Sequence, residues 1–170
     1  TIAVVPGRQP TGPADVAQIF SDSLKEKDLA ALLRKENAPT VRTAVNAVAA
    51  GTSAQNSSVV DMADYEGVLF VAAFGTLTAT QVTSIKAQQD TVVGFGGAAD
   101  LLGTLVGPLA DTDSNKLLAL DVYRPREQFV RLVINRATAN AVIDGVIAIQ
   151  YGPRKKPTTQ DTSVAFTESH

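Results

Sequence analysis

From Val41 onward the chain is written in short apolar and β-branched runs, each closed by a cluster of Gly, Asp, Asn or Pro. Runs of that length and composition are strand signals. They predict strands over Val41–Ala49, Ser57–Asp61, Gly67–Phe74, Gln81–Gln89, Lys116–Tyr123, Gln128–Asn135 and Ile143–Tyr151. With no long helical pattern between them, strands at this spacing favour an antiparallel β-sandwich or jelly-roll-like domain over an α/β fold. The run Gly67–Phe74 is apolar at every position after the glycine, as a central strand covered on both sides would be. In Gln128–Asn135, Val130, Leu132 and Ile134 alternate with Arg131 and Asn135, so one face of that strand is expected to meet solvent or a partner. The core expected from these patterns comprises Val68, Phe70, Ala72, Phe74, Ile85, Leu118, Leu120, Val122, Val130, Leu132, Ile134, Ile147 and Ile149.

The first 40 residues differ in texture. Pro6-Gly7 and Pro10-Thr11-Gly12-Pro13 forbid a helix there and predict an extended arm. Beyond them Val16, Ile19, Phe20, Leu24, Leu29, Leu32 and Leu33 recur at helical spacing. Asp15 can cap that helix, and Ser23-Leu24-Lys25-Glu26 has capping-box spacing, so two short helices are an alternative to one. Pro39 ends the pattern. The glycine-rich segment 90–113 shows no sustained period and is expected to be a long loop with one helical turn. From Gly152 the chain holds too little apolar surface to fold alone and should lie on the surface or on a neighbour. The organisation expected is an arm and helix (1–40), a sandwich (41–152) and a tail (153–170).

Composition narrows function more than fold. The 170 residues contain no cysteine and one histidine, the terminal His170, which removes Cys/His zinc sites, thiol nucleophiles and histidine bases. Net charge is -2 with an isoelectric point near 5.3, so there is no electrostatic footprint for nucleic acid. No apolar stretch is long enough for a transmembrane helix, and the N-terminus lacks the pattern of an export signal. These observations predict a soluble, non-secreted protein that is not an enzyme, needs no cofactor, and binds neither nucleic acid nor membrane.

Four groups of residues invite a chemical reading. Asp111-Thr112-Asp113-Ser114-Asn115 opens like a calcium loop, but Lys116 and Val122 occupy the positions that need glycine and glutamate, which favours an Asx-rich turn. Gly94-Phe95-Gly96-Gly97 fits a permissive dinucleotide fingerprint without the strand-helix setting, which favours a loop. Asp61, Asp64 and Glu66, near Tyr65, could pair as acid and base but fit a solvated hairpin turn better. The basic clusters Arg124-Pro125-Arg126 and Arg154-Lys155-Lys156 are too small for a polyanion site, since residues 41–152 hold seven Lys and Arg against ten Asp and Glu. They suit contact with an acidic protein patch, or simply solubility.

The order of segments from Ser57 to Tyr151 resembles the head decoration, or capsid cement, proteins of tailed phages. The likeness lies in Val59-Val60-Asp61-Met62, Tyr65–Val71, Ser84–Gln89, Asp111–Lys116, Leu120-Asp121-Val122, Phe129–Ile134 and the last strand ending at Tyr151-Gly152. The resemblance implies a non-enzymatic virion structural protein on the capsid exterior, made in the host cytoplasm. It would be a homo-oligomer, most often a trimer, clamping neighbouring major capsid protein subunits. A tail or head-tail joining component, and a carbohydrate- or ligand-binding sandwich, are the alternatives. The segments free to make such contacts are the arm, through Ile2, Val4 and Val5, and the helical stripe, through Ile19, Phe20 and Leu24.

Overall fold

The computed structural model describes residues 38–156 and 158–165. The arm, the helical stripe and their residues Ile2, Val4, Val5, Ile19, Phe20 and Leu24 lie outside the described residues. Among the described residues ten strands run in chain order: β1 Thr40–Val45, β2 Val48–Gly51, β3 Gln55–Asn56, β4 Val60–Asp61, β5 Gly67–Leu77, β6 Val82–Asp90, β7 Ala99–Asp100, β8 Leu117–Tyr123, β9 Phe129–Ala137 and β10 Ala141–Tyr151. They form two antiparallel sheets packed face to face. The first has the order β1-β10-β5-β8, with β2 also on β10; the second has the order β3-β9-β6-β7, with β4 also on β9. The domain is a mainly β sandwich, as its alternating runs predict.

Val68, Phe70, Ala72 and Phe74 from β5 meet Ile85 and Ala87 from β6, Leu120 and Val122 from β8, and Val130, Leu132 and Ile134 from β9 in one core. Phe70, Ile85, Leu132 and Ile134 are completely buried. Arg136 follows Ile134 on the same inward face at one end of β9. Its guanidinium is buried without a carboxylate, donating instead to the carbonyls of Ala49, Ser53 and Ala141, and so ties the β2–β3 loop to the start of β10. Five donors in a fixed fork suit that task.

Several boundaries and two core positions differ from expectation. The single run Val41–Ala49 is two strands, because the chain breaks at Asn46-Ala47 and both halves pair with β10. Of the run Ser57–Asp61 only Val60–Asp61 is strand; a further short strand, β3, precedes it, and between the two lies the buried Ser57, whose hydroxyl accepts from Leu132 N. The segment 62–66 is not a hairpin turn: β4 belongs to one sheet and β5 to the other, so it crosses the sandwich. Ile147 and Ile149 are not core residues. A bulge places two residues of β10, between Ile143 and Gly145, against a single step of β5 from Phe74 to Ala73, and this reverses the facing of everything after it. Val146 and Ala148 therefore point inward while Ile147 is 41% exposed. Leu118 is half-buried at the margin of the core.

The long segment 90–113 is better tied than an unstructured loop. It contributes β7 to the edge of the second sheet, and Val106 bridges Ile85 with main-chain hydrogen bonds in both directions. Its one helical turn is a single 3-10 turn at Asp111–Asp113. Residues 158–163 lie along the outer edge of β1. There Gln160 Oε1 accepts from Val41 N, Ser163 Oγ accepts from Thr43 N, and Asp161 pairs with Arg42 at 3.2 Å. Side chains thus occupy amides that a bare edge strand would present.

Candidate functional site

The two sheets differ in what they show to the outside. On the second sheet most outward positions of β6 and β9 are polar and bonded to one another, with Val82 and Val133 as apolar exceptions. Arg131 donates twice to Gln88, Lys86 and Gln88 both bond Asp100, and Asn135 donates to Ser84. The Phe95 ring closes over the Arg131 guanidinium at 4.4 Å, which leaves Phe95 8% exposed. This face of β9, expected to meet solvent or a partner, is partly exposed at Phe129, Arg131 and Asn135, with Phe95 closing over the Arg131 guanidinium.

The outward face of the first sheet is apolar instead. Thr43, Ile147, Val71 and Ala119 form one row across β1, β10, β5 and β8, and Val41, Ile149, Leu69 and Asp121 the next. Ala73 and Leu117 follow toward the bulge. Above Gly145 the face opens into a shallow concavity of about 480 Å³ lined by Val45, Val71, Ala73, Leu117 and Ile147 among others. Leu69, Val71 and Ala73 are half-buried and Leu117 is 66% exposed. The expectation that Gly67–Phe74 is central holds, since β5 lies between β10 and β8. Among the described residues, however, only its inner face is covered. A strand apolar on both faces with one face bare is the pattern of a docking surface.

Tyr151 and Tyr123 flank this face at the far end, opposite each other across Gly67. The Tyr151 hydroxyl donates to Asp121 Oδ1 at 2.8 Å. Burial raises its ionisation first, and the bond to Asp121 and the nearby negative charge add to it, so the phenol is pushed up to about 12.

The groups that invited a chemical reading are each consumed by structure. Asp111 Oδ2 accepts from Thr80 N, and Ser114 Oγ accepts from Leu77 N. Asp113 binds Lys116 and accepts from Ala110 N, and these two bonds, the lysine's first, hold its carboxyl below the usual range. The segment is an Asx-rich turn closed by Asn115 at φ 60°. At the glycine-rich loop, the Asp90 carboxylate accepts from Val92 N and Gly97 N. The bond from Val92 is the leading cause that lowers its pKa. Asp61, Asp64 and Glu66 go separate ways: Asp61 accepts from Ala63 N and Gln128, Asp64 meets Lys155, and Glu66 meets Arg124. Among the described residues no three His, Cys, Asp or Glu side chains converge as a metal site.

The structure does bring the two basic clusters together. Arg124, Arg126 and Arg154 line one open depression of about 320 Å³ with Met62, Tyr65 and Glu127. The acidic groups beside it, Glu66 and Asp64, already pair with Arg124 and Lys155. Sequence reasoning missed this meeting because it depends on the crossing of segment 62–66 between sheets. It also missed the bare face, whose only signal was the apolar character of both faces of β5.

No family model matches the chain, and no curated protein matches it. Among the solved structures that match is the dimeric latent PorU from Porphyromonas gingivalis, at 10% identity and a TM-score of 0.37. The match covers 68% of this chain and 13% of that one, so the chain spans a small part of that protein's length. Similarity of that degree distinguishes no function.

Proposed function

We propose that this chain is a non-enzymatic structural protein that binds the outer surface of a tailed-phage capsid and stabilises the head, as decoration or cement proteins do. The observation that supports this reading most is the contrast between the sandwich's two outer faces. One is a largely polar network interrupted by Val82 and Val133, and the other is a mainly apolar sheet face with a shallow concavity and two carboxylates, Asp121 and Asp144, at its margins. A flat apolar face rimmed by polar residues suits contact with a broad protein surface, whereas small ligands are held in deep pockets with convergent polar groups. The partners in this reading are the major capsid protein and sister copies. The arm residues Ile2, Val4 and Val5 and the stripe residues Ile19, Phe20 and Leu24 provide further attachment.

The test uses the full chain and purified heads of the phage that encodes it, stripped of or lacking this protein. Added protein should sediment with the heads, saturate, and appear by electron microscopy as ordered density on the shell's outside. A copy number comparable to that of the major capsid protein supports decoration. A small number of copies confined to one vertex would replace decoration with a tail or joining role.

A further inference from the structure

Antiparallel pairing fixes which main-chain groups of β8 are used. Lys116 O accepts from Phe74 N, and Arg124 N donates to Glu66 O, so the bonded pairs of the β5–β8 ladder fall on even-numbered residues of β8. The N–H and C=O groups of Leu117, Ala119, Asp121 and Tyr123 therefore point away from β5. Among the described residues β5 is the sole strand neighbour of β8, and no other main-chain bond reaches those groups. The sheet's opposite edge, β1, carries the side chains of residues 158–163, and the second sheet's edge strands β3, β4 and β7 are two residues each. β8 is a seven-residue edge without proline, lysine or bulge. Natural edges of that kind are covered by something.

We infer that β8 pairs with β8 of a second copy of this chain across a two-fold axis. The strand's own sequence is complementary to itself when reversed. Asn115 at φ 60° and Arg124 at φ 48° turn the chain out at either end and limit the pairing window to Leu117–Tyr123. Centred on Leu120, the window sets Leu117 against the second copy's Tyr123 and Ala119 against its Asp121, and every outward main-chain group finds a partner. A one-residue slip presents groups already used inside the sheet. A two-residue slip one way places Asp121 against Asp121, and the other way leaves Tyr123 unmatched. Charge and length thus select one register. Leu117 and Tyr123, 66% and 55% exposed, gain apolar contact in it.

A single edge pair is a small interface, so the association is weak and concentration-dependent in solution. On a shell, and here the inference rests on the proposed function, neighbours held side by side make such a contact effective. The symmetry is two-fold, not the three-fold arrangement that the resemblance implies.

Sedimentation of the full chain over a concentration series, without heads, tests the pairing whether or not the chain binds capsids. A monomer–dimer equilibrium is expected. Ala119→Asp should weaken it at least about tenfold, because two like-charged pairs arise by symmetry, while Ala119→Lys, facing Asp121, should tighten it. Ala119→Pro, which removes an N–H unused inside the sandwich, should abolish it with the fold intact by circular dichroism. The amides of Ala119 and Asp121 should exchange slowly in the dimer and quickly in Ala119→Asp. Equal association of the Asp and Lys variants would overturn the register. A chain that stays monomeric with these amides protected would show that its own residues 1–37 cover the edge, and overturn the pairing.

Discussion

The ring of Tyr151 lies across the Cα of Gly67, its directly paired neighbour on β5, so closely that a Cβ on residue 67 would overlap the ring's Cζ and hydroxyl oxygen. An aromatic residue covering a cross-strand glycine protects main-chain bonds that the glycine leaves open. It also points the hydroxyl at Asp121, one strand further on.

Gly67→Ala should therefore destabilise the domain by about 1–3 kcal/mol, the usual range for a methyl forced into filled space. The ring would have to leave Asp121. In a Tyr151→Ala background the same change should cost much less, and a double-mutant cycle by chemical denaturation measures that coupling. Equal costs in both backgrounds would show that the strain lies elsewhere.

The same contact makes stability sensitive to alkali. With the folded phenol raised to about 12 from an ordinary value near 10, the folded state holds its proton where the unfolded state has lost it. The contribution is complete below pH ~10 and falls away as pH rises through about 12. Asp121→Asn should lower the phenol's pKa, measured by ultraviolet titration, without restoring the ordinary value, because burial is the larger cause. A pKa unchanged by this substitution would remove Asp121 from the account.

Core and outer-face positions should respond very differently to truncation. Phe70 is completely buried, and Phe70→Ala should cost about 3–5 kcal/mol. Ile147→Ala, at 41% exposure on the opposite face of the same sheet, should cost under about 1 kcal/mol. If the two melt alike, the bulge in β10 is misplaced.

That contrast shows where sequence reading succeeds and where it fails. Alternation in Val130, Leu132 and Ile134 was legible because β9 keeps its register from Phe129 to Ala137. Alternation in β10 misled because one extra residue near Gly145 shifts the period, and a bulge has no hydrophobic signature of its own. The Arg136 clamp and the cover of Phe95 on Arg131 join residues far apart in the chain, so no local spacing announces them. The bare apolar face was half legible. The apolar run Gly67–Phe74 announced two buried faces, but which face lacks a covering layer depends on how the sheets stack.

The N-terminal boundary gives the remaining prediction. The organisation expected from sequence cut the sandwich at residue 41, yet Thr40 is buried, pairs with Gln150 and shares a 2.6 Å hydrogen bond with Tyr65. Ala38 and Pro39 accept from Thr158 and Gln160. A truncation that spares the fold should begin at residue 38. Deleting residues 1–37 removes none of the strand ladders or core contacts described, so the truncated chain should melt cooperatively with an unchanged β spectrum. Deleting 1–40 should cost additional stability through Thr40. If Ile2, Val4, Val5, Ile19, Phe20 and Leu24 attach the protein to a neighbour, the 38–170 chain should also fail to saturate heads while remaining folded. Normal head occupancy by that chain would remove the arm and stripe from the attachment site and leave it on the apolar sheet face. Collapse of the fold would instead assign them to covering Leu69, Val71 and Ile147 within their own molecule.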